Sequence, residues 1–179
     1  MKINLKLMEN NIKKSDLQSV KKLLSKKNII LTQSRQVERF EKDWSKWLGV
    51  KYSTFVNSGS SANFITISIL KYLNKNKIKN EIIVPPLTWV SDINSIIMNG
   101  FKPIFVDINL SNLSLNIDET IKKISKKTLA VFITHAQGFN GLNNKLINKI
   151  KKKKIFLIED VCESHGAKFK SKKLGTFGL

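Results

Sequence analysis

The sequence predicts an α/β fold, in which a mainly parallel β-sheet is covered by helices on both faces. Strand-length apolar runs alternate along the chain with segments of helical periodicity, and this order is typical of β/α units around a parallel sheet. In addition, polar motifs follow directly after three of the predicted strands. An open α/β sheet binds its ligand at that edge, so the motifs predict a site there.

Five short segments have strand character. Most of them are continuous apolar runs of the kind that a parallel sheet buries on both faces. The predicted strands are residues 52–56, 81–84, 103–107, 129–133 and 155–159.

Six segments have the periodicity of helices. They are residues 15–27, 36–48, 60–73, 90–99, 117–125 and 142–152. In the second of them Phe40, Trp44, Trp47 and Leu48 share one apolar face, so both tryptophans are expected to pack rather than to act chemically. In the third, the residues expected to be buried are Phe64, Ile67, Ile69 and Leu70.

Length and composition predict one domain, residues 1–179, because a chain of this size with 41% hydrophobic residues can bury one sizeable core. The apolar runs are far shorter than the roughly 20 residues that a membrane span needs, so no membrane association is expected. Cys162 is the sole cysteine, which excludes an intrachain disulfide. A reducing compartment, the cytoplasm, is therefore expected.

The formal net charge of +19 raises the alternative of a lysine-rich nucleic-acid-binding module. Arg35 and Arg39 are the only arginines, and direct base readout or bidentate phosphate binding usually depends on arginine. The composition therefore favours lysines spread over solvated helix faces, and the nucleic-acid module remains the alternative from a different class.

The first polar motif is Asn57-Ser58-Gly59-Ser60-Ser61, between a predicted strand and a predicted helix. Gly59 permits a sharp turn, and the N–H groups and dipole at a helix N-terminus attract phosphate. Ser60 and Ser61 add hydroxyl donors. An ordinary serine N-cap explains the same residues equally well. The motif is neither a Walker A sequence nor GxGxxG.

The second motif is Pro86-Leu87-Thr88-Trp89-Val90, where a strand gives way to a helix. An indole in that loop can stack on a flat heteroaromatic ring. Taken alone, the pattern favours a core position for Trp89 over a place against a ligand.

The third motif begins at Asp160, directly after a buried strand. A carboxylate there can hold the ring nitrogen of a heteroaromatic cofactor protonated. It can also cap a helix that starts near Val161. A metal site with Glu159 is not expected, because Cys162 and His165 lack zinc-ligand spacing with a second cluster.

Together the three motifs, in this order, resemble the DegT/DnrJ/StrS family of sugar aminotransferases that depend on pyridoxal 5′-phosphate (PLP). The resemblance covers roughly residue 29 to the end. It implies the large domain of a fold-type I PLP enzyme, a homodimer, and a nucleotide-linked keto sugar as substrate with glutamate as amino donor. It also implies roles: Gly59, Ser60 and Ser61 hold the cofactor phosphate, Trp89 stacks on the ring, Asp160 acts catalytically at the ring nitrogen, and Glu163 lies near the ring hydroxyl. For His165 it leaves support of Asp160 and packing equally open.

Two departures from the family pattern point to the branch that contains keto-sugar 3-dehydratases. Glu163 stands where a glutamine is usual, and residues 135–138 lack the tyrosine of His-Leu-Tyr-Gly. In that branch a histidine can replace the catalytic lysine. The resemblance places either residue beyond Leu179. The chain is therefore expected to be the N-terminal part of the large domain, with an incomplete sheet, no small domain and no activity by itself.

Overall fold

The computed structural model describes residues 11–178 and divides the chain into two compact units, residues 1–39 and 40–179. The first unit contains α1 (Lys14–Leu24) and the beginning of α2 (Arg35–Leu48). In α1 the Asp16 carboxylate accepts the N–H of Lys13 at 2.8 Å, which satisfies one of the free donors at the helix start. Both helices lie where the sequence predicts them. The predicted domain, 1–179, also includes residues 1–10 and 179, which lie outside the described part.

The second unit contains the remaining elements. Its helices are α3 (Gly59–Leu73), α4 (Val90–Met98), α5 (Ile117–Lys123) and α6 (Asn144–Lys153). Its strands are β1 (Glu81–Val84), β2 (Lys102–Phe105), β3 (Ile108–Asn109), β4 (Ser114–Leu115), β5 (Thr128–Thr134), β6 (Phe156–Asp160), β7 (Lys168–Phe169) and β8 (Lys172–Lys173).

Four strands form a parallel sheet in the order β2-β1-β5-β6. Ile83 of β1 is opposite Ile104 of β2 on one side and opposite Val131 of β5 on the other. β3 pairs with β4, and β7 with β8, as two antiparallel hairpins. The predicted parallel sheet is confirmed, and the carboxyl ends of its strands lie along one edge.

Helices cover both faces of this sheet, as predicted, because alternate residues of a strand point to opposite sides. On one side Ile82 packs with Ile67 of α3 and Ile96 of α4. On the other side Ile83 packs with Leu146 and Ile150 of α6. The two inner strands, β1 and β5, are therefore largely buried between two helical layers, whereas the edge strand β2 keeps Lys102 and Phe105 exposed.

In the second unit, three of the described helices begin at a residue whose side chain accepts backbone N–H groups. Ser58 caps α3, Asn116 caps α5 and Asn143 caps α6. Such caps are typical helix starts, and they fix where each helix begins relative to the preceding loop. None of the described helices combines the length and the apolar character that crossing a membrane requires.

The strand predicted at residues 52–56 is wrong. The segment is irregular, since the backbone N–H of Phe55 donates to the Glu41 carboxylate at 2.7 Å rather than to a strand. The Phe55 ring instead packs edge-on against Phe40, with 5.5 Å between centroids.

The prediction of a buried position is also wrong for two residues of α3. Phe64 is 40% exposed and Ile69 is 52% exposed, whereas Ile67 and Leu70 are buried as predicted. The helix is apolar on more than one side, and only the side that faces the sheet is covered. Sequence periodicity does not distinguish the two sides when both are apolar.

Candidate functional site

The carboxyl ends of β1, β5 and β6 meet at one edge of the sheet. Thr134, the last residue of β5, is in register with Asp160, the last residue of β6. Thr88 follows β1, and its Oγ1 lies 2.6 Å from Oγ1 of Thr134. This contact fixes the loop after β1 against the end of β5, so all three strand ends supply polar groups to one place.

Asp160 ends β6 half-buried, where its side chain can reach a ligand at the sheet edge. Its Oδ1 accepts the N–H of Cys162 at 2.9 Å, which is a local turn contact. Among residues 161–178 there is no helix for Asp160 to cap, since turns and the β7–β8 hairpin follow it. Of the three alternatives for this residue, the helix cap is therefore wrong.

Asp92 is a second carboxyl group at this edge, and it is fully buried in the first turn of α4. Its Oδ2 is hydrogen-bonded to Thr88 and, at 3.2 Å, to Thr134. Its Oδ1 accepts from Asn63 Nδ2 at 2.6 Å. Burial, followed by the negative charge of Asp160 and a hydrogen bond with the Asp160 side chain, raises the pKa of Asp92 to about 6, although the threonine hydrogen bonds oppose this.

The sequence did not point to Asp92. An acid in the first turn of a helix is ordinarily explained by the helix dipole, and that explanation needs no site. The one available signal was Thr88, a hydroxyl residue just before the helix, close enough in the chain to reach an acid in the first turn.

The N-terminus of α3 lies beside that of α4, because Asn63 Nδ2 also donates to Ser91 at 3.1 Å. Ser58 is the residue that caps α3, accepting the N–H of Ser61 at 3.1 Å. Gly59 and Ser60 are exposed. The serine cap and an exposed glycine-serine turn thus occur together, on different residues.

A groove of about 480 Å³ runs between α3 and α4, and its lining includes Ser60, Ser61 and Met98. It does not include Trp89 or Asp160. The polar groups that lie close together are therefore those at the strand ends, and not those of this largely apolar groove.

Trp89 is not a core residue, since it is 70% exposed in the loop position that precedes α4. The structure therefore overturns the interpretation that the motif alone favoured. Hydrogen bonds through Asn63 and Asp92 connect this loop to the start of α3 and to the end of β5.

Glu163 lies on the loop after β6, and it holds the neighbouring loop after β5. Its Oε2 accepts the backbone N–H of Gln137 at 2.7 Å. Gln137 has a φ of 54°, a left-handed conformation that is uncommon for a residue other than glycine. The carboxylate stabilises this turn and places the two loops side by side.

Aromatic packing explains the positions of Trp44, Trp47 and His165. The rings of Trp44 and Trp47 have centroids 4.8 Å apart, and His165 meets Trp44 edge-on at 5.4 Å. Packing is therefore the observed environment of His165. Trp44 and Trp47 pack as expected, although Trp47 keeps much of its surface exposed.

Glu159 and His135 form a buried pair that the sequence did not indicate. Glu159 is 3% exposed at its side chain, and its Oε2 lies 3.2 Å from His135 Nε2. The N–H of Gly141 donates to Nδ1 of His135, so Nε2 carries the proton.

The Glu159 carboxylate also accepts the N–H groups of Gly175, Phe177 and Gly178 at 2.7–3.0 Å. Burial opposes ionisation, yet the hydrogen bonds from His135 and from the N–H groups of Gly175 and Phe177 lower the pKa of Glu159. Within residues 11–178 no three His, Cys, Asp or Glu side chains gather as metal ligands would.

A family model described as the DegT/DnrJ/EryC1/StrS aminotransferase family matches residues 10–179. The chain belongs to this family. The predicted family is thereby confirmed, and with it the fold class, because the solved structures that resemble this DegT/DnrJ/EryC1/StrS protein are family enzymes with the same α/β architecture.

Three similar proteins show how this family member relates to known enzymes. A GDP-4-keto-6-deoxy-D-mannose 3-dehydratase of Yersinia pseudotuberculosis is 33% identical, over 99% of this chain and 45% of its own length. A GDP-perosamine synthase of Vibrio cholerae is 32% identical, over 83% of this chain and 40% of its own.

The third is a solved structure, the E. coli GDP-4-keto-6-deoxy-D-mannose-3-dehydratase with bound hydrated PLP. It is 29% identical with a TM-score of 0.88, over 97% of this chain and 44% of its own. The DegT/DnrJ/EryC1/StrS chain described here thus spans less than half the length of the relatives it matches.

Proposed function

We propose that this chain is part of an enzyme that binds PLP and acts on a nucleotide-linked keto sugar. The observation that carries the proposal is the meeting of Asp160 with the Trp89 loop and the start of α3 at the carboxyl ends of parallel strands. The family and the PLP named in the related 3-dehydratase structure support the same conclusion.

The residues present fit the cofactor. At the start of the 15-residue helix α3, the exposed Gly59 and Ser60, with Ser61, offer backbone and hydroxyl donors to a phosphate. The exposed indole of Trp89 is free to cover an aromatic ring. Asp160 offers a carboxylate to a ring nitrogen, and Glu163 lies on the adjoining loop, where the ring hydroxyl is expected.

PLP, when bound, supplies an electron sink that stabilises negative charge next to the substrate's reacting carbon. The protein's part is to orient the ring and to control one proton. Asp160 holds that proton on the ring nitrogen, because its negative charge favours the protonated nitrogen over the neutral one. Trp89 excludes water from one face of the ring.

Amino transfer to the keto sugar is the first reaction we propose, since it names the family and accords with the related GDP-perosamine synthase. Removal of the sugar 3-hydroxyl is the second. A specific observation favours it: Glu163 replaces the usual glutamine, and proteins named as 3-dehydratases are similar to this chain both in sequence and in structure. The function predicted from the sequence and its alternative both remain within this chemistry.

The test uses the full-length protein with PLP, glutamate and GDP-4-keto-6-deoxymannose. A 4-amino sugar would identify an aminotransferase, and a sugar without the 3-hydroxyl would identify a dehydratase. Mass spectrometry separates the two products. Failure to bind PLP in a folded protein would contradict the proposal as a whole.

We further propose a cytoplasmic homodimer as the working form of the full-length protein. The exposed apolar side chains of α3 and α4 that lie next to Ser60 and Ser61, such as Phe64 and Met98, support a protein contact close to the site. Light scattering of the full-length protein tests this, and a monomer with full activity would contradict it.

A further inference from the structure

The hydrogen bonds around Asp92 define how many protons the buried cluster contains. Oδ2 of Asp92, Oγ1 of Thr88 and Oγ1 of Thr134 form a triangle in which each pair of oxygens is within hydrogen-bonding distance. Each contact requires one hydrogen atom between its two oxygens. The two threonine hydroxyls provide two hydrogens, and three contacts have to be filled.

The third hydrogen belongs on Asp92. Oδ1 of Asp92 already accepts from Asn63 at 2.6 Å, and the second amide hydrogen of Asn63 is directed to Ser91. The proton therefore lies on Oδ2. With an ionised Asp92, two bare oxygens would face each other in one of the three contacts, and the buried cluster would repel itself.

The surroundings favour the same protonation state. Asp92 is 0% exposed, so its charged form loses the stabilisation that water would provide. The charged group that faces it is Asp160, whose charge and side-chain hydrogen bond both favour the protonated form of Asp92, and Cys162 is the other titratable group that interacts with it. The neighbouring elements, α3, the loop after β1 and β5, contribute the uncharged Asn63, Thr88 and Thr134.

We propose that Asp92 is a positioning residue that keeps its proton in mildly acidic solution, where an ordinary aspartate is ionised, so that Asp160 is the carboxyl group left to interact with the cofactor ring nitrogen. The neutral acid also fixes the loop after β1, and with it Trp89, to the end of β5. This consequence at the ring rests on the proposed function, whereas the proton on Asp92 does not.

Asn is a close substitute for a protonated Asp at this position. In Asp92→Asn the amide oxygen can accept from Asn63, and the amide group can donate to both Thr88 and Thr134. All three contacts of the triangle then keep a hydrogen. A substitution that removes the polar group, Asp92→Ala, instead leaves the partners of the former carboxyl unsatisfied.

The deciding experiment is infrared spectroscopy of the full-length protein without cofactor, at about pH 5 and about pH 8, with Asp92→Asn as difference partner. We expect a carboxylic-acid carbonyl band at the lower pH that is missing in Asp92→Asn. The matched control, Asp118→Asn, changes an exposed acid paired with Lys145, and it should keep the band. No band that depends on Asp92 would overturn the inference.

PLP titration is the second readout. We expect Asp92→Asn to bind PLP within about threefold of the wild type, with an unchanged absorption spectrum, and Asp92→Ala to bind more weakly. A folded Asp92→Asn protein that loses about tenfold or more in PLP affinity would show that a charge is needed there, against the inference. If the acid band is found and the wild type binds no PLP, the inference stands and the proposed function fails.

Discussion

Glu159 and Asp160 are consecutive acids on β6, and the pleat of the strand gives them different environments. Glu159 points into a buried shell of donors formed by His135 and three backbone N–H groups. Asp160 points to the sheet edge and stays half-buried. Because neighbouring side chains of a strand face opposite sides, one acid stabilises the loop at residues 175–178 and the other is available for chemistry.

Replacing Asp160 with Asn tests the proposed catalytic role. We expect Asp160→Asn in the full-length protein to lose nearly all turnover, because an uncharged amide does not keep the ring nitrogen protonated. PLP should still bind, since the phosphate contacts at α3 are unchanged. Turnover rates and PLP titration measure the two effects. Near-normal turnover would remove Asp160 from this role, and Asp118→Asn serves as the control.

Replacing Glu159 with Gln tests how much the buried Glu159 carboxylate stabilises the loop at residues 175–178. Since the folded-state pKa of Glu159 lies below its ordinary value of 4.5, its contribution to stability is present above about pH 4.5 and is lost as the pH falls through the folded pKa. We expect Glu159→Gln to destabilise the full-length protein by about 1–3 kcal/mol at neutral pH, because a Gln has only one acceptor oxygen for four donors.

Denaturant unfolding at neutral and acidic pH measures this effect, and the difference between wild type and Glu159→Gln should shrink toward low pH. The half-exposed Glu119, paired with Lys122, gives the matched control, and Glu119→Gln should change stability by no more than about 0.5 kcal/mol. Equal effects of the two substitutions on stability would contradict this stabilising role of Glu159.

At the scale of elements, the helix caps separate stability from ligand binding. Ser58 caps α3 at the site and Asn143 caps α6 away from it. We expect Ser58→Ala and Asn143→Ala each to cost about 1 kcal/mol of unfolding free energy, the usual value of a cap. Only Ser58→Ala should also weaken PLP binding, since it loosens the proposed phosphate site. Calorimetric PLP titration compares them, and equal losses of affinity would contradict the assignment of the phosphate to α3.

The sequence predicted most elements because their signals are local. Apolar runs of four or five residues predicted β1, β2, β5 and β6, and helical periodicity predicted the helices. The two small hairpins, β3–β4 and β7–β8, have two-residue strands, which are too short to show a pattern. Residues 52–56 have strand-like composition but no strand beside them, and a single sequence does not reveal which partner is missing.

The site was only partly predictable. Motifs after β1 and β6 drew attention to the segments of Trp89 and Asp160, because strand ends meet at one edge whatever the loops do. The ligand role of Trp89 came from the family resemblance, and the turn at Gly59 follows an irregular segment rather than the predicted strand. Asp92, Thr134 and the pair of His135 with Glu159 depend on contacts between residues far apart in the chain. Each of them, seen alone, has an ordinary structural explanation, so tertiary contacts were needed to find them.

At the scale of the whole molecule, the charge of +19 allows a test against nucleic-acid binding. We expect the full-length protein to bind duplex DNA weakly at low salt and not measurably at about 0.15 M salt, because scattered lysines form no dedicated phosphate-binding surface. Fluorescence anisotropy over a range of salt concentrations measures this. Tight binding with a steep salt dependence, in a protein that does not bind PLP, would favour the nucleic-acid module instead.

The strand order β2-β1-β5-β6 also has a consequence for how the chain folds during its synthesis. The ribosome adds about 5–20 residues per second, so Thr88 and Asp92 are made several seconds before Asp160. During that interval β1 and β2 can pair, while the other edge of β1 waits for β5, and β5 then waits for β6. Of Thr88, Asp92, Thr134 and Asp160, the nascent chain therefore acquires Asp160 last, and an apolar strand edge is open to chaperones or to wrong partners until β6 docks.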